Sequence, residues 1–565
     1  MKNITVFLSI FILLLSGRLP CQSSEAYLCG TPQLSFIKEA LRGSTQIFPD
    51  ESAPNPRVPS APTLPVGAER TFFAPDFRSM QQYTVSAVLR GVGDFCYVFV
   101  QQSEWNARVT AETVQSIVRA FDAATPANPH RGIYQTLTQS FGAPPDIDGN
   151  GKIILLLLNI RDANHIDQYT AGFFNPADQS RGVLRNPGFR RFPIRSNEAD
   201  MLYVDTQPLN PSSEAAHNVI AHELQHLIHW GHDPHEATWI DEGCAGYASF
   251  LCGYSVLEHV AAFERNPSIS LIAWPEMDTD ALPHYGATFL WMLYLHEQHG
   301  GLQTLTEIVQ NRGTSLNGVA DVLASNGTTQ NISEIFNNWK LTNYLSDYRT
   351  IRLSLEPRRW HRSYPSGTQD GQLRNFSADY IGFEDAGGLT LGFSSRSRES
   401  STAHAIEFHN TGDVHKREII LSTDGSGSIV LPDTVTNVIL IPSLQSQGIN
   451  AQTRNTQYQY NATRGAHITF ITVALPNPVH SQYWDIVAVP SEPLVGLVPY
   501  VILMRVENNV ERLHQESQAM YRVTPDSPNN YMYRLSFRLD PEIAPESVTY
   551  QISLDSRIVD TRALE

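Results

Sequence analysis

Two hydrophobic patterns divide the chain. From about Thr71 to Arg358, apolar runs of strand length alternate with stretches whose apolar positions recur every three or four residues. Tyr83–Val88 and Cys96–Val100 read as strands separated by a Gly-containing turn. Ile153–Leu158 is continuously apolar, as a strand covered on both faces would be. Asp200–Asp205 reads as a strand that leads into a helix starting near Ser212, and it is expected to border the cleft and pair with an extended peptide. Helical spacing also appears in Leu34–Leu41, in Thr110–Ala123 with Thr110 placed to cap it, and in Ala287–His296, Leu302–Val309, Leu316–Leu323 and Ile332–Tyr344.

Beyond Arg358 the helical period disappears. Ala405–Phe408, Glu418–Leu421, Val438–Ile441, His467–Phe470, Tyr500–Leu503 and Tyr531–Leu535 recur at strand length with turn residues between them. This predicts two β-sandwich-like domains with a break near Pro476 and Pro478. At the other end, seven prolines fall between Pro49 and Pro75, a density that excludes regular structure and gives an extended spacer or part of a propeptide. The expected organisation is therefore a signal peptide over 1–24, a weakly structured Pro-rich lead-in over 25–75, and a mixed α+β domain over 76–358 that is helical from about 258. Two β-rich units over 359–475 and 476–565 follow.

The first segment is assigned to export because Lys2 precedes an apolar run, Ile4–Leu15, that is too short to span a bilayer. Cys21 raises a lipoprotein anchor as a second route, although Pro20 directly before it argues against one. No later stretch is long and apolar enough to be a transmembrane segment. Loss of Lys2 and Arg18 would take the net charge from −17 to −19, which disfavours nucleic acid and anionic lipid as partners. Four cysteines follow residue 24: Cys29, Cys96, Cys244 and Cys252. An even count in an exported chain permits disulfides, with buried free thiols as the alternative, but Cys244 and Cys252 cannot pair with each other if their segment is helical.

Chemistry concentrates between Ser212 and Tyr254. His222-Glu223-Leu224-Gln225-His226 is an H-E-x-x-H sequence on a helix whose apolar face includes Val219, Ile220, Leu224, Leu227 and Ile228. Ser212 or Ser213 can cap that helix, and Gly231 and Pro234 end it. Histidines four apart project from one face, the spacing that two ligands of one Zn2+ require. Glu223, rotated by one residue, is positioned to take a proton from water rather than to bind the metal. Two third ligands compete. His232 has the H-E-x-x-H-x-x-G-x-x-H spacing, but His229 occupies the place where a glycine would let the chain turn back. Glu242 follows His226 after fifteen residues, on a second helix for which Thr238 and Asp241 could form a capping box and whose Gly243, Ala245 and Gly246 would allow close packing on the first.

The HELQH segment followed by Trp239-Ile240-Asp241-Glu242-Gly243-Cys244-Ala245-Gly246-Tyr247 resembles the gluzincin metallopeptidases. The likeness is closest to the hyicolysin-like secreted bacterial enzymes and extends to Asp146–Lys152, Asn197–Met201 and His284–Ala287. It covers about Tyr83 to Tyr348 and leaves the β-rich third outside. The resemblance implies a zincin-type catalytic domain, Glu242 as third zinc ligand, and neutral zinc endopeptidase activity on proteins and peptides outside the cell. Gly246 stands where many gluzincins carry an acid that supports a zinc histidine, leaving Asp205, Asp233, Asp241 or a backbone carbonyl to do that work. Tyr285 and His284 are candidates to stabilise the developing oxyanion, with Tyr247 as the alternative. Asp146, Asp148 and Asn150 resemble half of a Ca2+-binding loop, although Leu157 occupies the closing position. The C-terminal β-domains are expected to serve surface association or substrate capture. Two other readings stand beside this one, an aminopeptidase-type exopeptidase and a surface adhesin with an inactive metallopeptidase-like domain.

Overall fold

The computed structural model describes residues 26–42, 46–48, 64–162, 168–185, 193–275, 281–362, 367–448 and 451–463, and in the C-terminal part 470–476, 483–490, 499–507, 510–522, 533–539, 548–554 and 557–563. The expected signal peptide, most of the Pro-rich stretch and the expected strand residues His467–Thr469 lie outside these ranges.

The first half is built on a seven-stranded sheet. Its strands are β1 (Ala26–Cys29), β3 (Glu69–Asp76), β4 (Gln81–Val92), β5 (Cys96–Gln101), β6 (Ile153–Leu158), β7 (Gln168–Phe174) and β10 (Met201–Asp205), arranged in the order β1-β7-β10-β6-β5-β4-β3. A small second sheet joins β2 (Gln46–Phe48), β8 (Val183–Arg185) and β9 (Ile194–Arg195). Strands β5, β6 and β10 run parallel at the centre, and β7 is antiparallel to β10. Every residue of β6 is buried, as its continuous apolar run requires. Alternation along β6 feeds two cores: Ile153, Leu155 and Leu157 pack with the helices, while Ile154, Leu156 and Leu158 face Phe72 and Ala74.

The helices are α1 (Ser35–Arg42), α2 (Ala111–Asp122), α3 (Ile133–Phe141), α4 (Glu214–His232), α5 (Thr238–Leu251), α6 (Leu257–Arg265), α7 (Leu282–Gln298), α8 (Leu302–Gln310), α9 (Ser315–Ser325) and α10 (Ile332–Leu345). Thr110 caps α2 in a capping box closed by Thr113, and Ser213 Oγ caps α4 by accepting from the Ala216 amide at 3.4 Å. Helix α4 packs against α5, β7 and β10. Gly172 permits the contact with β7, since a Cβ there would stand 2.4 Å from Val219 Cγ1.

Three sequence expectations are corrected here. The lead-in from residue 26 is not weakly structured: it supplies β1, a turn and α1, with Leu34 and Ile37 buried in the second core. The border at 75/76 falls inside β3. The border at 475/476 falls inside the strand Phe470–Pro476, which pairs with Tyr483–Pro490 and so goes with the last unit.

The second half is β-rich. Six- and four-stranded sheets between Arg359 and Thr463 enclose one core containing Phe383, Leu391, Leu440 and Tyr460. Two further four-stranded sheets from Phe470 to Ala563 enclose another around Ile486, Val501 and Tyr550. The chain is thus multidomain, α+β first and β-rich afterwards. Phe336 and Trp339 of α10 share a core with Phe376, Ile439 and Ile441, so the helical half packs directly on the first β unit.

Candidate metal centre

His222 and His226 lie one turn apart on α4, and Glu242 approaches them from the first turns of α5. His222 Nε2 is 3.0 Å from Glu242 Oε2, and His226 Nε2 is 3.3 Å from Glu242 Oε1. Glu242 Oε1 is buried without a hydrogen-bond partner, and the residue is 1% exposed. A buried carboxylate that faces two imidazoles with one oxygen unpartnered is costly unless something cationic lies between them. For tetrahedral Zn2+ with ligand bonds of about 2.0–2.1 Å, neighbouring ligand atoms stand about 3.3 Å apart. The observed separations fit that edge, and the donor set fits zinc. Burial alone would raise the Glu242 carboxyl, but His226 and His222 outweigh it and hold it below the usual carboxylate range.

Asp241 braces this arrangement. Its Oδ1 is 2.9 Å from His226 Nδ1 and 3.2 Å from His229 Nδ1, while Oδ2 takes a 3.5 Å bond from Lys38 Nζ. Burial would raise the Asp241 carboxyl, but His226 and Lys38 together hold it well below its ordinary value. The expected capping box is therefore not formed: Ala237 occupies the N-cap with no side-chain bond, and Glu236 Oε1 instead accepts from the Ala237 amide at 2.5 Å and the Ser315 amide at 2.7 Å. The two glycines also lie against a partner other than the expected α4, with Gly243 against Thr288 and Met292 of α7 and Gly246 against Phe289.

Glu223 is fully buried beside the cluster. Burial raises its carboxyl, and His222 and His226 offset that only in part. Its Oε2 accepts from Thr31 Oγ1 at 3.0 Å and lies 3.5 Å from Cys29 Sγ. The Tyr285 ring is 6.3 Å from that of His222 and stacks on His259. Its hydroxyl accepts from the Cys29 amide at 3.2 Å. The adjoining pocket is lined by Tyr285, Asn218, Ser249, Val256 and His259, with Leu28 and Cys29 along one side.

A curated relative is similar to part of this chain. It is the neutral metalloprotease ShpI of Staphylococcus hyicus, 25% identical over 262 residues that cover 43% of this chain and 54% of the relative. The chain thus spans about half the length of that protein. No family profile matches. Among solved structures, a mutant of the Escherichia coli periplasmic inhibitor of g-type lysozyme is 15% identical, covering 19% of this chain and all of the inhibitor, at a TM-score of 0.14. A glycoside hydrolase domain of Streptococcus pneumoniae Endo-D is 9% identical over 35% of this chain and 32% of that domain, at 0.13. Likenesses this weak carry no argument.

The remaining candidates are placed elsewhere. Helix α4 continues unbroken through His232, which at six residues beyond His226 is turned roughly 120° from the ligand face; a Cβ on Gly142 would stand 2.4 Å from its Nε2. His284 packs against Trp274, and Tyr247 against Phe250 and His296. Asn150 Nδ2 donates to Asp148 Oδ2 at 2.6 Å, so the loop expected to hold Ca2+ braces itself, although Asp146, Asp148 and Asp200 carboxylates approach one another. Strand β10 lies between β6 and β7 and has no free edge for a peptide; the strand beside the site is β7. The four cysteines Cys29, Cys96, Cys244 and Cys252 are buried free thiols.

Two contributors were missed from sequence. Cys29 reads from sequence as a disulfide partner or a buried free thiol and not as a ligand, although a cysteine followed by glycine just beyond an export signal could have drawn notice. Strand β7 carries a period-two signal, Tyr169, Ala171 and Phe173, that went unread.

Proposed function

We propose that this protein is an exported zinc metalloendopeptidase of the gluzincin type, acting on proteins through His222, His226 and Glu242 as metal ligands and Glu223 as general base. The observation that carries the reading is the buried Glu242 carboxylate, which meets His222 Nε2 through Oε2 and His226 Nε2 through Oε1 at metal-ligand spacing, with Oε1 lacking a hydrogen-bond partner. Zinc held there supplies Lewis-acid polarisation of the scissile carbonyl and acidifies water. Glu223, raised by burial, takes the proton from the attacking water and passes it to the leaving amine. Tyr285 offers its hydroxyl to the developing oxyanion. Asp241 orients His226 and fixes which ring nitrogen is free for the metal. Substrate would pair with the side of β7 that β1 occupies in this structure, and the β-rich half serves attachment or capture of protein substrates.

The similarity to a neutral metalloprotease supports this reading, and the pattern at residues 1–24 supports export. The test compares wild type with Glu223→Gln on casein and on blocked and unblocked short peptides, with zinc measured in both. Retained zinc with protein cleavage reduced about 10²–10⁴-fold is the expected result. Unchanged cleavage removes Glu223 from the reaction, and cleavage confined to unblocked peptides points to the exopeptidase.

A further inference from the structure

The N-terminal segment enters the site it precedes. Strand β1 pairs in parallel with β7, Leu28 opposite Thr170 and Cys29 opposite Gly172, so it occupies the sheet edge beside the metal centre. The segment then turns at Gly30, whose amide donates to Gly172 O at 2.8 Å. No larger residue fits there, since a Cβ would stand 2.8 Å from Thr170 Cγ2 and 2.9 Å from Phe77 Cζ. That close approach delivers Cys29 Sγ to the cluster, 3.5 Å from His226 Nε2. A sulfur at about 2.3 Å and a nitrogen at about 2.0–2.1 Å on one tetrahedral Zn2+ stand about 3.6 Å apart. The potential ligand atoms of Cys29, His222, His226 and Glu242 all lie within 4.8 Å of one another, and the orphan oxygen of Glu242 independently marks this point as a cation position.

We propose that Cys29 is a fourth zinc ligand and that the segment from Ala26 to Arg42 is a built-in inhibitor of the enzyme. This inference rests on the zinc reading above. Coordination through the thiolate releases one proton to solvent and changes no oxidation state. It closes the position a catalytic zinc site keeps open for water or substrate. The same segment engages the base: Thr31 Oγ1 donates to Glu223 Oε2, and the Phe174 amide donates to Thr31 Oγ1 at 2.9 Å. It also engages the Tyr285 hydroxyl through the Cys29 amide and covers the β7 edge. Lys38 ties α1 to Asp241, while Leu34 and Ile37 seat the segment in the second core. Metal, base, oxyanion donor and substrate edge are thus all blocked by one stretch of chain.

The test uses the full chain loaded with Co2+. Wild type should show cobalt d–d absorption together with a near-ultraviolet sulfur-to-cobalt charge-transfer band. Cys29→Ser should keep the d–d absorption, lose the charge-transfer band, and, loaded with zinc, cleave casein about tenfold faster or more, as release of a blocked fraction predicts. Should that variant not fold, alkylation of wild type followed by peptide mapping gives the same answer. Cys29 should be protected in the zinc form and labelled once a chelator has removed the metal, with the buried Cys96, Cys244 and Cys252 unlabelled in both. Cobalt bound with no charge-transfer band in wild type, or equal labelling with and without metal, overturns the fourth ligand and leaves the zinc enzyme standing. A Cys29→Ser enzyme no faster than wild type overturns the inhibitory role. Failure of wild type to bind cobalt at all overturns both.

Discussion

Two clusters among the described residues bring histidine and carboxylate atoms within 4.8 Å of one another, one buried and one half-open to solvent, and they differ in what balances them. In the β-rich half, Glu407, His409 and His415 converge, but Arg417 Nε donates to Glu407 Oε1 at 2.5 Å and its Nη2 donates to Val430 O at 3.0 Å. His409 Nδ1 is paired with Thr434 Oγ1 at 2.9 Å. That cluster contains its own cation. In the α+β half, Glu242 faces His222 and His226 with one oxygen unpaired, and Lys38 reaches Asp241, the residue behind the histidines. Side-chain proximity alone therefore does not identify a metal site. The discriminating feature is whether the chain supplies the compensating charge itself.

The sharpest way to break this comparison is to remove the carboxylate from the closed cluster. Glu407→Gln removes the buried carboxylate that Arg417 Nε meets, which should destabilise the protein by about 3–5 kcal/mol in denaturant unfolding. Bound zinc and proteolysis should be unchanged. Loss of zinc in that variant would make the second cluster a metal site too.

In the open cluster, Asp241→Asn should keep the ligands and weaken their support. Zinc affinity measured by chelator competition should fall about 10–100-fold. An unchanged affinity would reduce Asp241 to an anchor for Lys38.

The smallest effect concerns a third buried polar group, again closed by neighbours. Lys340 is fully buried under the first β unit, donating to Ser443 Oγ at 2.5 Å and Thr402 Oγ1 at 3.2 Å. Burial lowers its ammonium from 10.5 to about 7. Between those values the unfolded chain holds a proton that the folded chain has released, so stability should rise with pH through this window. Below about 7 both states are charged and the contribution is flat. The slope should be about 1 kcal/mol per pH unit, and Lys340→Met should abolish it. Parallel stability curves for the two proteins between pH 7.5 and 9.5 would show that Lys340 keeps its charge when folded.

Much of this was legible in the sequence because it depends on local spacing. The four-residue separation of His222 and His226 fixes a shared helix face, and continuous apolar character put Ile153–Leu158 at the centre of a sheet. Ser213 and Thr110 capped the helices expected of them. What was not legible depends on long-range pairing. Nothing local tells Cys29 that it will lie opposite Gly172, because a parallel β pair joins residues distant in the chain. Asp241 looked like a capping residue because its position in the helix permits that role, yet His226 and Lys38 compete for the same carboxylate and prevail. Gly243 announced close packing correctly but not the partner, which is α7. Strand β10 was mistaken for the cleft edge because the neighbouring β7 carries only a weak alternating signal.

Zinc content per chain in three purified proteins tests the central claim most directly. Wild type should hold about one zinc, His232→Ala should hold the same, and Glu242→Ala should lose it to a mild chelator wash that leaves the others loaded. Zinc retained without Glu242, or lost with His232, would contradict the ligand set on which this account rests.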